Sequence, residues 1–394
     1  MMKAFDRQRR KLLQYGFFSL GALAGHALLP FPVQAASLPL ASLGELLPPD
    51  ENGVRLPAGF TSRIVARSGQ KILDYYWHAA PDGGAVFAAP DGGWIYVCNS
   101  ELDDKAGGAG ALRFNSHGEI VAAYPVLSHT SRNCAGGHTP WQTWLSCEET
   151  ETGQVWECDP FGRKAARLRS ALGTFQHEAV AVDAQHKQLY LTEDERNGCL
   201  YRYTARNFDS AGNPDLDDGL LEVMEVIEGS IGAVRWHPLP DPLATTTPAR
   251  KQVAGSSRFD GGEGIWYHQG IVYFSTKGDN RVWAYDVRQQ HLSIHYDAAL
   301  YLSPVLTGVD NITGNAAGEL LVAEDGGNMQ IVVLTGDQVL PLLQLTGHNR
   351  SEITGPALSP DGSRLYFSSQ RGQTGKSEDG ITFEITGPFQ GSSG

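Results

Sequence analysis

Almost nothing in this chain reads as a long helix. After residue 35 no stretch keeps apolar side chains at 3.6-residue spacing over several turns, which excludes helical bundles and helix-rich α/β folds. Basic runs are missing beyond the N-terminus. With 44 acidic against 31 basic side chains and a formal charge of -13, nucleic acid is excluded as a partner. The one apolar run near the N-terminus is broken by Gly16, Gly21, Gly25, His26 and Pro30, which excludes a membrane-spanning anchor. Cysteine is scarce and odd in number. Cys98, Cys134, Cys147, Cys158 and Cys199 cannot all pair with one another, so at least one is a free thiol or a thiolate ligand. For Cys98, Cys158 and Cys199 a buried structural thiol is the expectation. Even the acidic "NPDLDDG" (213–219) lacks the Gly and Glu that a helix-flanked calcium loop requires, so it reads as a turn.

The N-terminus is a targeting segment. Arg9-Arg10-Lys11-Leu12-Leu13 precedes a mildly apolar run from Tyr15 to about residue 32 and then the small-residue pattern Val33-Gln34-Ala35. This predicts a twin-arginine signal over residues 1–35, hence the twin-arginine translocation machinery as a partner and a periplasmic or secreted protein. No stable membrane anchor would remain after cleavage.

The chain beyond this segment is rich in Gly (46 residues over the full sequence) and in short alternating strands, a composition that favours β structure. A unit repeats. "HEAVAVDAQHKQLYLTEDERNGCLYRYT" (177–204) reads as strand, turn, strand, acidic loop, strand, and "GEGIWYHQGIVYFSTKGDNRVWAYD" (262–286) keeps the same plan. So do the stretches 310–334, 352–370, 133–159 and 85–114. The second strands begin near 94, 144, 189, 271, 320 and 365, a period of about 45 to 50 residues for most units. The expectation is an all-β, six-bladed β-propeller over 81–394, with a surface insertion at about 205–257. Residues 36–80 form a lead segment in which "FTSRIVARS" (60–68) closes the ring.

Antiparallel first and second strands bring distant residues to one end of the central channel. The first-strand starts are Cys134, Glu178, Glu263, Asn311 and Glu352 or Thr354. The second-strand ends are Asn99 and Glu101, Cys147-Glu148-Glu149, Glu193-Asp194, Lys277, Glu324-Asp325 and Gln370. Carboxylates crowded at one mouth raise one another's pKa unless cations neutralise them, so the mouth is predicted to bind metal. Oxygen donors select calcium or magnesium, whereas a thiolate among them selects a transition metal such as iron. His138 and His177 are expected to orient ligands, and Trp141, Trp144, Trp156, Trp266 and Trp283 to fill the space between blades.

These motifs carry a resemblance. "NCAGGHTPWQTWLSCEE" (133–149), "HEAVAVD" with "LTEDE", "GEGIWY" with "YFSTKGDNRVWAYD", and "EITGPALSPDGSRLYFSSQ" resemble the PhoX-type alkaline phosphatase family. The resemblance implies an exported phosphomonoesterase with an iron and calcium centre, acting on a small-molecule phosphate ester. It implies Cys134 as the thiolate ligand of iron and Glu178 and Glu263 as carboxylate ligands. Glu149, Glu193, Asp194, Asp325 and Glu352 would serve calcium or support the ligands. Asn99 and Glu263 would be the catalytic residues, Asn99 contacting phosphate. This chain departs from the pattern at Gly261-Gly262-Glu263, where long members carry an Arg two residues before the Glu, and at Asn99-Ser100-Glu101 and Thr150. Arg258, Lys277 and Arg371 are the cations available to replace that Arg. A calcium-dependent lactonase and a metal-dependent binding propeller without enzymatic activity are the alternatives to a phosphatase.

Overall fold

The computed structural model describes Leu40 and residues 43–389; the export signal expected over residues 1–35 lies outside them. Among the described residues there is no α-helix. The chain is built from antiparallel strands joined by turns and short 3-10 segments such as Ala249–Lys251. Second strands run over Trp94–Ser100, Trp144–Glu148, Gln188–Glu193, Ile271–Thr276, Leu320–Glu324 and Arg364–Ser369. Each starts within one residue of the position that alternation in the sequence predicts.

Each of these strands pairs with the strand before it: Pro81–Ala88, Asn133–His138, His177–Asp183, Gly262–His268, Val309–Gly314 and Ile353–Leu358. These first strands pack one against the next, and Ile353–Leu358 returns to Pro81–Ala88, so they line a central channel in a propeller-like arrangement. Small residues permit the approach. A Cβ at Gly137 would stand 2.1 Å from the carbonyl oxygen of Val180, and one at Gly264 2.2 Å from the amide nitrogen of Ile312. Larger side chains farther out fill the gaps between sheets. Tyr190, Phe274, Trp283 and Tyr285 share one such buried cluster, each removing from water an area worth about 1.5–3 kcal/mol.

The ring closes through the chain's two ends. Thr61–Arg67 pairs with Ile381–Thr386 and completes the sheet that contains Ile353–Leu358, while Val54–Arg55 adds a fifth strand to the sheet of Val309–Gly314. The buried Trp77 donates its Nε1–H to Thr382. One correction concerns 205–257, expected as a loop. It contains the strands Gly219–Val226 and Gly232–Pro238. The first is the fourth strand of its sheet and pairs with the second, which in turn pairs through Gly232 and Ala233 with His291–Asp297 of the next and so fuses the two into nine strands. The apolar and polar side chains of "LLEVMEV" do not alternate with a period of two, and the Pro/Thr/Ser-rich stretch that follows strengthens the loop signal, so the strand is not legible in the sequence. Trp141, Trp156 and Trp266 are only partly buried, whereas Trp144 and Trp283 are core residues.

Candidate metal centre

Every first strand carries the same irregularity near its start. The ladder slips so that two of its residues face one on the second strand: Asp82-Gly83, Cys134-Ala135, Glu178-Ala179, Glu263-Gly264, Asp310-Asn311 and Gly355-Pro356. A β-bulge of this kind re-aims a side chain that the regular pleat would send into a sheet. The leading bulge residue is a potential metal ligand in five cases and Gly355 in the sixth. Gly355 has φ of +59°, and a Cβ there would stand 2.5 Å from the Asp82 carbonyl oxygen, so the close approach to the first bulge needs glycine.

The second strands supply another ring. The residue immediately after the last registered pair is Glu101, Glu149, Asp194, Lys277, Asp325 or Gln370. All members of the two rings except Gly355 and Gln370 carry a charged or thiol group. Those ten line a pocket of about 180 Å³ at one end of the channel, together with Arg132, Glu352, Thr354 and Arg371.

Nine carboxylates and the Cys134 thiol thus meet three cations. Ligand atoms fall into four overlapping groups, each within 4.8 Å: Asp82, Glu101 and Cys134; Cys134, Glu149 and Glu178; Glu178, Glu263 and Asp310; Asp310, Asp325 and Glu352. Unit charges of one sign about 4 Å apart repel by roughly 4 kcal/mol near a protein surface. The protein's own cations answer part of this. Arg132 pairs with Glu101 at 2.9 Å and Glu149 at 2.6 Å, Lys277 with Glu263 at 2.9 Å and Asp325 at 3.2 Å, and Arg371 with Glu352 at 2.7 Å. Gln370 donates its amide to Asp82 and Glu101.

The remainder shows in the acidities. Burial and then Glu149 push Glu101 up to about 7; burial pushes Asp310 up to about 7 and Asp194 to about 6, against the pull of Lys277. Asp82, Glu178, Glu263 and Glu352 are raised well above the carboxylate range by burial and by their acidic neighbours, and the Cys134 thiol is raised by burial and then by Asp82 and Glu178. One contact and one unpaired atom mark the centre of the ring: Cys134 Sγ lies 3.2 Å from Glu178 Oε1, while Glu178 Oε2 is buried with no hydrogen-bond partner among the described residues. A soft donor beside hard ones, with a buried orphan oxygen, fits a metal centre.

Of the residues expected at the site, Cys134, Glu149, Glu178, Asp194, Glu263, Asp325 and Glu352 meet in this pocket. Asn99 and Glu193 do not. Asn99 stands opposite the first bulge and is fully buried; its amide donates to the carbonyls of Cys134 and Ala135 and accepts from Trp144 Nε1 and Ser146. It therefore holds the neighbouring bulge and does not line the pocket. Thr192 and Ser275, at equivalent positions, donate to the carbonyls of Glu263 (2.6 Å) and Asp310 (2.5 Å). Glu193 is turned by strand alternation to the opposite face, where Arg250, Tyr201 and the Cys199 amide satisfy it.

Three other expected groups have partners away from the pocket. Arg258 lies 2.7 Å from Cys199 Sγ, His177 stacks on Phe175 and bonds Gly173, and His138 stacks on Phe87 at the far end of its strand. Sequence reasoning missed Asp82, Asp310 and Arg132. The signal for the first two was the "DGG" and "DN" at strand starts, one position away from the register that plain alternation gives.

Two comparisons bear on this geometry. The family model for the alkaline phosphatase PhoX matches residues 100–164 and 150–294, which include Glu101, Cys134, Glu149, Glu178, Asp194, Glu263 and Lys277. The chain belongs to the PhoX-type alkaline phosphatase family. Among solved structures it resembles Pseudomonas fluorescens PhoX in complex with vanadate, a transition-state analogue, with a TM-score of 0.72 and 17% identity over 88% of this chain and 98% of that one. The gluconolactonase XC5397 from Xanthomonas campestris matches at TM-score 0.41 and 15% identity over 88% of this chain and 98% of that one. No curated protein matches. The PhoX fold is thus common to two chains that share few residues. In this PhoX member Asp82, Asp310, Asp325 and Glu352 lie outside the matched residues but inside the pocket.

Proposed function

We propose that this PhoX-family protein is an exported phosphomonoesterase with iron and calcium at the acidic mouth of a six-bladed propeller. Six blades result when the nine-stranded sheet is counted as two. The observation that carries the metal reading is the run of four overlapping ligand groups with Cys134 beside one oxygen of Glu178 and the other oxygen of Glu178 buried without a partner. Cys134 and Glu178, with Glu263, would hold iron, and the all-oxygen group of Asp310, Asp325 and Glu352 would hold calcium, while Asp82 and Glu101 stand with Cys134. When bound, such cations polarise phosphoryl oxygens and offset the charge that develops during in-line displacement.

The chain's own residues supply the remainder. The bulges fix ligand directions, and Thr192 and Ser275 hold the backbone of the next ligand, so little reorganisation is needed. Arg132 and Arg371, about a third exposed at the rim, can donate to phosphoryl oxygens where Gly261 leaves no arginine. The vanadate-bound relative favours a phosphate ester as substrate. The Arg9-Arg10 segment favours delivery through the twin-arginine machinery to the periplasm or beyond, and the export of a protein already loaded with metal.

The test is to purify the protein after export by its own signal, measure iron and calcium per chain, and assay a small aryl phosphate. Iron and calcium with phosphate release support the reading. Metal without hydrolysis would leave a binding propeller, and absence of both metals would overturn it.

A further inference from the structure

In four of the six second strands the residue after the last registered pair is a carboxylate: Glu101, Glu149, Asp194 and Asp325. In the sheet of Gly262–His268 that same position is Lys277. The exchange is not a surface substitution. The Lys277 ammonium stands 2.9 Å from Glu263, 3.2 Å from Asp325 and 3.9 Å from Asp310, so it touches members of two neighbouring ligand groups at once. Three carboxylates around one compact cation is the arrangement that a hard divalent ion would otherwise take.

The backbone prevents the lysine from being a chance intruder. Lys277 N–H bonds the Gly261 carbonyl at 2.9 Å, and a Cβ at Gly261 would lie 3.7 Å from Lys277 Cβ and 3.2 Å from Asp194. Gly261 has φ of +71°, a conformation that disfavours any side chain at this place. The space beside Glu263 is thereby given to Lys277.

We propose that Lys277 is a built-in counter-ion that takes the place of one divalent cation, so that the centre holds one ion fewer than its ring of acids would otherwise bind. Its ammonium bridges Glu263, Asp310 and Asp325 permanently, and those carboxylates stay in place whether or not neighbouring metal is present. This rests on the metal reading given above.

The test compares calcium per chain, by elemental analysis after equilibration with calcium and gel filtration, in the full-length protein and in Lys277→Met and Lys277→Gln, with calcium-dependent melting as a second readout. Both neutral variants are expected to gain about one calcium per chain and to melt higher with calcium than without by a margin larger than the parent's. Lys277→Arg, which keeps the charge, is expected to show no gain. If either neutral variant folds, as judged by circular dichroism, and gains neither calcium nor calcium-dependent stability, the proposal is wrong while the metal reading survives through the parent's metal content. A parent that binds no metal would remove the metal reading instead. A variant that folds only when calcium is added supports the proposal, since the added ion then does the work of the lost ammonium.

Discussion

Cys134 is the one soft donor among nine carboxylates, and its place at a bulge, 3.2 Å from Glu178, is what separates this pocket from an ordinary acidic mouth. Replacing sulfur by oxygen keeps the volume close to the original and leaves the strand's hydrogen bonds intact. Cys134→Ser is therefore expected to lose most of its bound iron while calcium content and the melting temperature measured in calcium change little. Unchanged iron content would take the thiol out of the centre. The carboxylates make a second prediction for protein stripped by a chelator. Glu101 and Asp310 titrate near 7 and Asp194 near 6 when folded, above the unfolded value of about 4. Carboxyls that hold their protons better in the folded state contribute stability that is complete below about pH 4 and lost as pH rises through the folded values. The stripped protein should accordingly melt lower at pH 8 than at pH 5, and saturating calcium should remove much of that difference. A stripped protein that melts at the same temperature at both values would show that these acids are not crowded in solution.

The element that organises the site is the bulged first strand together with the residue facing its bulge. Asn99, Thr192 and Ser275 each reach across to a carbonyl of the next first strand, so one sheet fixes the ligand of its neighbour. Asn99→Ala would strip partners from two carbonyls, from Trp144 Nε1 and from Ser146, all in the interior. The expected loss is about 3 kcal/mol, since each buried group left unpaired costs on the order of 1–3 kcal/mol and some relax. Denaturant unfolding measures it. A loss of hydrolysis with no change in stability would instead return Asn99 to a direct role on substrate. Ser275→Ala removes a single donor to the Asp310 carbonyl and should cost on the order of 1 kcal/mol, with weaker calcium binding as its companion effect.

Across the whole molecule the ring is held shut by residues far apart in the chain. Thr61–Arg67 completes the sheet of the C-terminal strands, Trp77 bonds Thr382, and Gln370 reaches over the closure to Asp82 and Glu101 of the pocket. Closure and metal site are therefore coupled. A chain beginning at residue 69, without the closing strand, is expected to lose cooperative thermal unfolding and to retain less metal after gel filtration. Cooperative melting with full metal content would show that the sheet ending in Ile381–Thr386 stands without its partner.

Much of this was legible in the sequence. Strand alternation and turn spacing are local signals, and they located the second strands and brought Cys134, Glu149, Glu178, Asp194, Glu263, Asp325 and Glu352 to one mouth. What the sequence could not decide was register. A bulge shifts the facing of a strand by one residue, which is why Asp82 and Asp310 point into the pocket, and ordinary alternation turns Glu193 away while Asn99 is bound to a neighbouring strand. The position of Lys277 among three acids likewise depends on contacts with residues up to 48 positions away. Side-chain period and glycine placement act within a few residues of the chain. The direction of each ligand is set by carbonyls and carboxylates from the next sheet, which only the closed ring brings together.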